Sequence, residues 1–310
     1  MISWRYHLVS IVAVFLALGL GVLTGTTVLN DNLVRNLRAQ TKTLKADLDD
    51  LRGSVVDLQS ELDTMNTFAE QAMPYLVGGR LATRQVIVIT QDGVDGRALA
   101  QARRAIDLAG AEVLTTLTVR PSMAAATPEN QRGLATVLGM ATSTPSDQLA
   151  TAAAQTLAQR LARDPAANTP GTDVLGELLS QGFLTTSAPA ISDSTLAQIG
   201  GRSQIVVAVG GGTGDLSPTS SAFMAPLVLA TAGLGVVTGA GESLASDGGF
   251  VSVVRSTGDP SGAPLVTVDD VDLPVGSSAM VLGLREAILR GTGGDYGVKA
   301  GASRLLPPTA

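Results

Sequence analysis

Between Asn30 and Met73, apolar or small side chains return at alternating steps of three and four residues. Val34, Thr41, Leu48, Val55, Leu62 and Ala69 take position a, and Leu37, Leu44, Leu51, Leu58, Met65 and Ala72 take position d. A repeat of 3.5 residues sustained over about five heptads specifies helices wound left-handedly around one another. β-Branched residues at a with leucine at d favour two parallel strands. Asp47 at g would then face Arg52 at e of a parallel partner. Val34, Leu37, Leu44, Leu48, Leu51, Val55, Leu58, Leu62 and Met65 form the expected partner-binding face, in a homodimer or a heterodimer. Gly53 falls at the outer f position and costs about 1 kcal/mol of helix propensity without interrupting the seam. Thr41 weakens the seam locally, and Ala69 and Ala72 thin its end. Pro74 is expected to close the helix, giving a coiled-coil rod over 30–73 of roughly 66 Å. The competing reading lays this helix against its own globular domain.

The rod is preceded by 22 consecutive uncharged, mostly apolar residues, Leu8 to Leu29. At about 1.5 Å per residue they cover roughly 33 Å, enough for a bilayer core. Trp4 and Tyr6 sit where interfacial aromatics belong. The run is too long for the apolar region of a cleavable leader, and its exit, Thr-Gly-Thr-Thr-Val-Leu-Asn, has no Ala-x-Ala site. Residues 1–29 are thus read as a cytoplasmic tip and a transmembrane anchor. The positive-inside bias is weak, because Arg35, Arg38, Lys42 and Lys45 follow the exit; the short entering end favours a cytoplasmic amino terminus. Ala13/Ala17 and Gly21/Gly25 are small-x-x-x-small pairs that permit close helix approach in lipid. His7, the chain's single imidazole, reads as an interfacial side chain.

Residues 74–310 read as an extracytoplasmic α/β domain with a parallel-sheet layer structure. Val86–Ile89 and Val113–Val119 are strand patterns flanking a helical Arg97–Ala109, the spacing of a parallel crossover. Thr127-Pro128-Glu129 has the form of a helix start. Helices are expected from Ser146 through Leu161, over Asp173–Gln181, from about Ser220 to Ala232, and over Ser277–Leu289. Further strands are expected at Ile205–Val209, Leu234–Thr238, Val251–Val254 and Leu265–Val268. Thr185–Asp193 reads as a loop, and the tail after Tyr296 as irregular surface chain. An internal division is allowed near 167–171.

Composition removes several chemistries. The 310 residues contain no cysteine and one histidine, which excludes disulfides, thiolate nucleophiles and a His-cluster metal site. A net charge of -6 gives no broad basic footprint for nucleic acid. Gly210-Gly211-Gly212-Thr213-Gly214-Asp215 follows a strand, yet it lacks both the Lys-Ser/Thr ending of a phosphate loop and Gly-x-Gly-x-x-Gly spacing. A tight structural connection is the stronger reading. Asp269, Asp270 and Asp272 follow a strand end, where oxygen ligands for Mg²⁺ or Ca²⁺ could gather; no calcium-loop pattern accompanies them, and a solvated loop is expected. Asp92 and Asp95 have the same status. The methionines, Met1, Met65, Met73, Met123, Met140, Met224 and Met280, form no dense cluster for soft Cu(I). No catalytic set emerges, and a non-enzymatic protein is expected.

Several stretches together resemble an actinobacterial envelope family, the mycobacterial copper transport protein B or MctB family. They are Trp4-Arg5-Tyr6-His7 with its membrane helix, the heptad rod, the Arg84-to-Thr90 strand, Val268-Asp269-Asp270-Val271-Asp272, and Gly293-Gly294-Asp295-Tyr296-Gly297-Val298-Lys299-Ala300-Gly301. The resemblance implies copper homeostasis, with efflux through a mycolate-containing envelope and an outer-membrane location. It carries copper as the only implied metal. Members also resemble the coiled-coil partner of a septal cell-separation factor that acts with a cell-wall hydrolase. A channel role sits uneasily with the residues, since a spanning barrel needs about eight or more alternating strands. An anchored scaffold fits them better.

Overall fold

The computed structural model describes residues 4–165, 173–187, 192–211, 219–245, 249–258 and 262–308. The chain divides into two compact units, one ending at Met65 and the other beginning at Asn66.

The first unit is helical. Helix α1 is continuous over Trp4–Val77, so the apolar run and the heptads belong to one 74-residue element. Within it, Trp4–Gly25 is long and apolar enough to cross a membrane. The face named above as partner-binding is exposed along the single chain, from 38% at Val34 to 66% at Leu51. Threonines inside the helix satisfy their own hydroxyls. Thr24 Oγ1 donates to the Leu20 carbonyl at 2.7 Å and Thr41 Oγ1 to the Leu37 carbonyl at 2.7 Å. Thr41 can therefore occupy an a position without leaving a polar hydrogen unmatched.

Pro74 does not end the helix. It lies within its last turn, and α1 continues to Val77. A proline costs a backbone bond and crowds the preceding turn, but tertiary packing overrides this here. Met73, Val77 and Leu81, spaced by four, are all buried in the domain core. The Pro74 carbonyl still accepts from the Gly78 amide at 3.0 Å. Ala69 and Ala72, small at the end of the seam, are half-buried where this packing begins.

The second unit is a mixed α/β domain on a seven-stranded sheet. Its strands are β1 (Gln85–Gln91), β2 (Glu112–Val119), β3 (Leu184–Thr186), β4 (Ile205–Gly210), β5 (Val237–Glu242), β6 (Leu265–Val268) and β7 (Gly294–Tyr296), in the order β3-β2-β1-β4-β5-β6-β7. Every neighbouring pair is parallel except β2 and β3. Alternation along the central strands explains the two layers, because successive side chains point to opposite faces. Ile87, Ile89, Val206 and Ala208 enter one core with α3 (Pro128–Leu138), α4 (Ser146–Ala162), α5 (Val174–Ser180), α7 (Ala225–Gly233) and α8 (Phe250–Thr257). Val86, Val88, Ile205, Val207 and Val209 enter the other with α2 (Gly96–Leu108), α9 (Pro274–Arg290) and the end of α1. A short helix α6 (Asp193–Gln198) precedes β4.

Four expectations fail locally. Val251–Val254 is not a strand but the centre of α8; Phe250, Val251 and Val254 bury one helical face, and the β-branched run imitated a strand. Thr185 is not in a loop but in β3, paired antiparallel with Thr118 of β2. Leu234 and Gly235 form a turn, and β5 starts later, at Val237. The chain after Tyr296 is not merely surface tail: Val298 and Lys299 are tied to the sheet, as described next. The expected division near 167–171 lies outside the described residues. Its flanks are joined by Arg160, which grips both oxygens of Asp173 at 2.7 and 2.8 Å and donates to the Ile199 carbonyl at 2.5 Å.

Candidate functional site

The carboxyl ends of parallel strands form the usual ligand side of such a sheet. Here two regions occupy that edge. The strand order reverses between β1 and β4, whose ends carry Gln91 and Gly210. Asp95 caps α2, accepting from the Arg97 amide at 2.9 Å, and its own amide donates to the Gly211 carbonyl at 3.3 Å. Asp92 pairs with Arg120 at 3.0 Å. Both carboxylates therefore have structural partners. Beyond Gly211, the glycine loop lies outside the described residues. Gly210 itself is required by packing, because a Cβ there would overlap the Phe250 ring.

The second region lies at the ends of β5 and β6 and gathers three separated stretches of chain. Arg255, on α8, places one guanidinium nitrogen 2.7 Å from Asp269, which follows β6. Its remaining nitrogens donate to Thr267 Oγ1 at 2.7 Å and to the Tyr296 carbonyl at 2.8 Å. Thr267 Oγ1 in turn donates to Asp295 at 2.6 Å. Asp269 accepts further bonds from the amides of Val298 at 2.9 Å and Lys299 at 3.2 Å. Gly297 makes this approach feasible, with φ +125° and a missing Cβ that would otherwise overlap the Asp269 carboxylate. The Lys299 ammonium bonds Glu242 at 3.1 Å and the Ser243 carbonyl at 3.0 Å. Glu242 also accepts from the Val251 amide at 3.1 Å, completing the start of α8.

The expected solvated loop at Asp269, Asp270 and Asp272 is thus overturned. Asp269 and Asp270 are both buried, and Asp272 accepts from the Leu244 amide at 2.7 Å. The Val-Asp-Asp-Val-Asp segment turns directly from β6 into α9, with Val268 and Val271 buried in the core shared with α2 and α9. Asp269 is fully matched. Asp270 is not: 1% exposed, it has no hydrogen-bond partner for either carboxylate oxygen. Burial, reinforced by the charges of Asp269 and Asp272, pushes its pKa up to about 6. Gly276 in the first turn of α9 leaves room beside it, since a Cβ there would overlap Asp270. Burial also raises Glu242, against the opposing pull of Lys299, and it raises Tyr296.

Among the described residues no group of three or more His, Cys, Asp or Glu side chains is arranged to hold a metal ion. The described methionines are dispersed. Met73 and Met280 belong to one core, Met123 and Met224 to the other, and Met65 is exposed on α1. His7 is exposed on the same helix. The polar edge therefore reads as the lock that holds the carboxyl-terminal segment to the sheet. Sequence reasoning missed Arg255 and Glu242 altogether. The one available signal was the glycine spacing of 293–301, which marks a backbone brought close to other groups.

The chain was compared with known proteins. The family model described as copper transport outer membrane protein, MctB, matches residues 1–307. The protein named copper transporter MctB in Mycobacterium tuberculosis (strain H37Rv) is 27% identical over 319 residues, covering 97% of this chain and 98% of its own. The protein of the same name in Mycobacterium leprae is 28% identical over 323 residues, covering 99% of this chain and 100% of its own.

Proposed function

We propose a function from the premise that this chain belongs to the MctB family. It is a membrane-anchored envelope protein of copper homeostasis, held by Trp4–Gly25 and assembled with a partner helix through the a/d face of α1. In this reading the amino terminus is cytoplasmic, the α/β domain is extracytoplasmic, and the chain carries no enzymatic activity of its own. Support for the copper role comes from the family description and from relatives named copper transporters. Copper is read as cargo or signal.

The observation that carries the scaffold reading is the exposed heptad face. Nine large apolar side chains at strict a/d spacing stand in solvent along one helix, and such a stripe is stable only when another helix covers it. A chain-built pore is disfavoured on two counts. The sheet is open, with β3 and β7 at its edges, and helices cover both of its faces, whereas a lipid-facing barrel must be closed and apolar outside. Among the described residues one helix is long and apolar enough to span, and a lone helix encloses no channel. The septal partnership rests on resemblance alone and draws no support from the relatives' names.

The test has two arms. Polar replacement of Leu48, Leu51, Leu58 and Leu62 should abolish partner capture in a membrane pull-down; unchanged capture defeats the scaffold reading. Deletion should lower cellular copper tolerance, and wild-type tolerance in the deletion strain defeats the copper role. Purified protein in vesicles distinguishes direct transport from assembly.

A further inference from the structure

The heptad count does not stop where the rod begins. Stepping back in sevens from Val34 passes Thr27 and reaches Leu20 and Ala13 at a, and stepping back from Leu37 passes Asn30 and reaches Leu23, Leu16 and Val9 at d. Because α1 is one continuous helix, this phase is carried physically from the rod into the apolar span. The span's surface agrees with it. A shallow groove of about 440 Å³ is lined by Leu8, Val9, Val12, Ala13, Leu16, Ala17 and Leu20. In the rod's own register Leu8 is c, an outer position, and the other six are d, g, a, d, e and a, the positions that line a two-helix interface. Ala13 and Ala17 open the groove because their side chains are short, which lets a second backbone approach closely.

We propose that a second copy of this chain occupies that groove, so that one parallel seam, polar at Thr27 and Asn30, runs from Val9 in the bilayer to Met65 in the rod. The proposal rests on the rod pairing proposed above and extends it into the membrane. Three observations favour a second copy. Two identical chains anchored by the same span are held parallel and in register, the arrangement that the a/d pattern favours. Their facing g and e columns then pair Asp47 with Arg52, and no like charges meet at the Gln40–Lys45, Ser54–Gln59 and Glu61–Asn66 crossings. An antiparallel pairing centred on the seam would instead bring Lys45 opposite Arg52. Left-handed crossing at about +20° is common to coiled coils and membrane bundles, so one supercoil serves both media.

The absence of native cysteine makes the test direct. Single substitutions Leu16→Cys, Leu18→Cys, Leu51→Cys and Val56→Cys are made in the full chain and oxidised with molecular iodine in native membranes. Leu16 and Leu51 are d positions, Leu18 is f, and Val56 is b. The proposal requires disulfide-linked homodimer at Leu16→Cys and Leu51→Cys, at least fivefold above Leu18→Cys and Val56→Cys. Dimer at Leu51→Cys with Leu16→Cys no higher than Leu18→Cys overturns the membrane seam while leaving the rod pairing intact. A Leu51→Cys product whose mass shows a different chain overturns self-pairing. No product at either d position overturns both readings.

Discussion

Arg255 and Asp269 meet at 2.7 Å with both side chains withdrawn from water, Asp269 completely. The pair joins α8 to the end of β6, and Asp269 uses its remaining capacity to hold the amides of Val298 and Lys299. Removing the cation alone would strand a buried carboxylate. Arg255→Met is therefore expected to destabilise the domain by about 3–5 kcal/mol. Urea unfolding followed by far-ultraviolet circular dichroism measures this; the single tryptophan, Trp4, lies on the apolar span at the start of α1 and does not report on the domain.

Asp270 carries the opposite expectation. Its folded pKa, about 6, stands above the ordinary value of 3.8. The folded state thus holds the proton more tightly than the unfolded chain. The resulting stabilisation is complete below about pH 4 and is lost as pH rises through about 6. Asp270→Asn should flatten this dependence and raise stability at pH 7.5 by about 3 kcal/mol, since each pKa unit corresponds to about 1.4 kcal/mol. Melting temperatures of both proteins at pH 4.5 and 7.5 decide it. A variant less stable than the parent at pH 7.5 refutes the expectation.

Gly297→Ala should cost about 3 kcal/mol. The substitution places a Cβ at φ +125° and against the Asp269 carboxylate, combining backbone strain with overpacking. Gly53→Ala, at an open, outward position of α1, should instead add about 1 kcal/mol of helix propensity. Thermal melts of the two variants should therefore shift in opposite directions.

The proposed Asp47–Arg52 crossing predicts a small, reversible effect. Asp47→Arg should weaken rod pairing about twofold, and Asp47→Arg with Arg52→Asp should restore it, as exposed ion pairs contribute well under about 1 kcal/mol. Within one chain Arg52 already reaches Asp49 at 3.4 Å, which limits the gain further. Sedimentation equilibrium in detergent provides the comparison.

What could be read beforehand depended on how local each determinant is. The heptads and the apolar run declare themselves within a few turns, and α1 contains both. The strands at Val86–Ile89 and Ile205–Val209 were legible because both faces are buried, leaving near-continuous apolar runs. Pro74 misled because the burial of Met73 and Val77 is a tertiary effect. Val251–Val254 misled because valines suit a buried helical face as well as a strand. The polar edge was illegible for a different reason. Asp269 finds its partners at positions 255, 298 and 299, and Glu242 finds its own at 251 and 299. No spacing rule joins residues so far apart. The aspartates could be seen, but the cation and amides that bury them could not.

The placement of Lys299 has a consequence for biosynthesis. Glu242 and Asp269 both draw on groups contributed much later in the chain, by Val298 and Lys299. A nascent chain halted on the ribosome near position 290 would already contain both carboxylates but neither Lys299 nor the Val298 amide. Its sheet would lack β7, and two acidic groups destined for the interior would still require water. The polar edge therefore cannot close until the chain has been made as far as Lys299, 57 residues after Glu242.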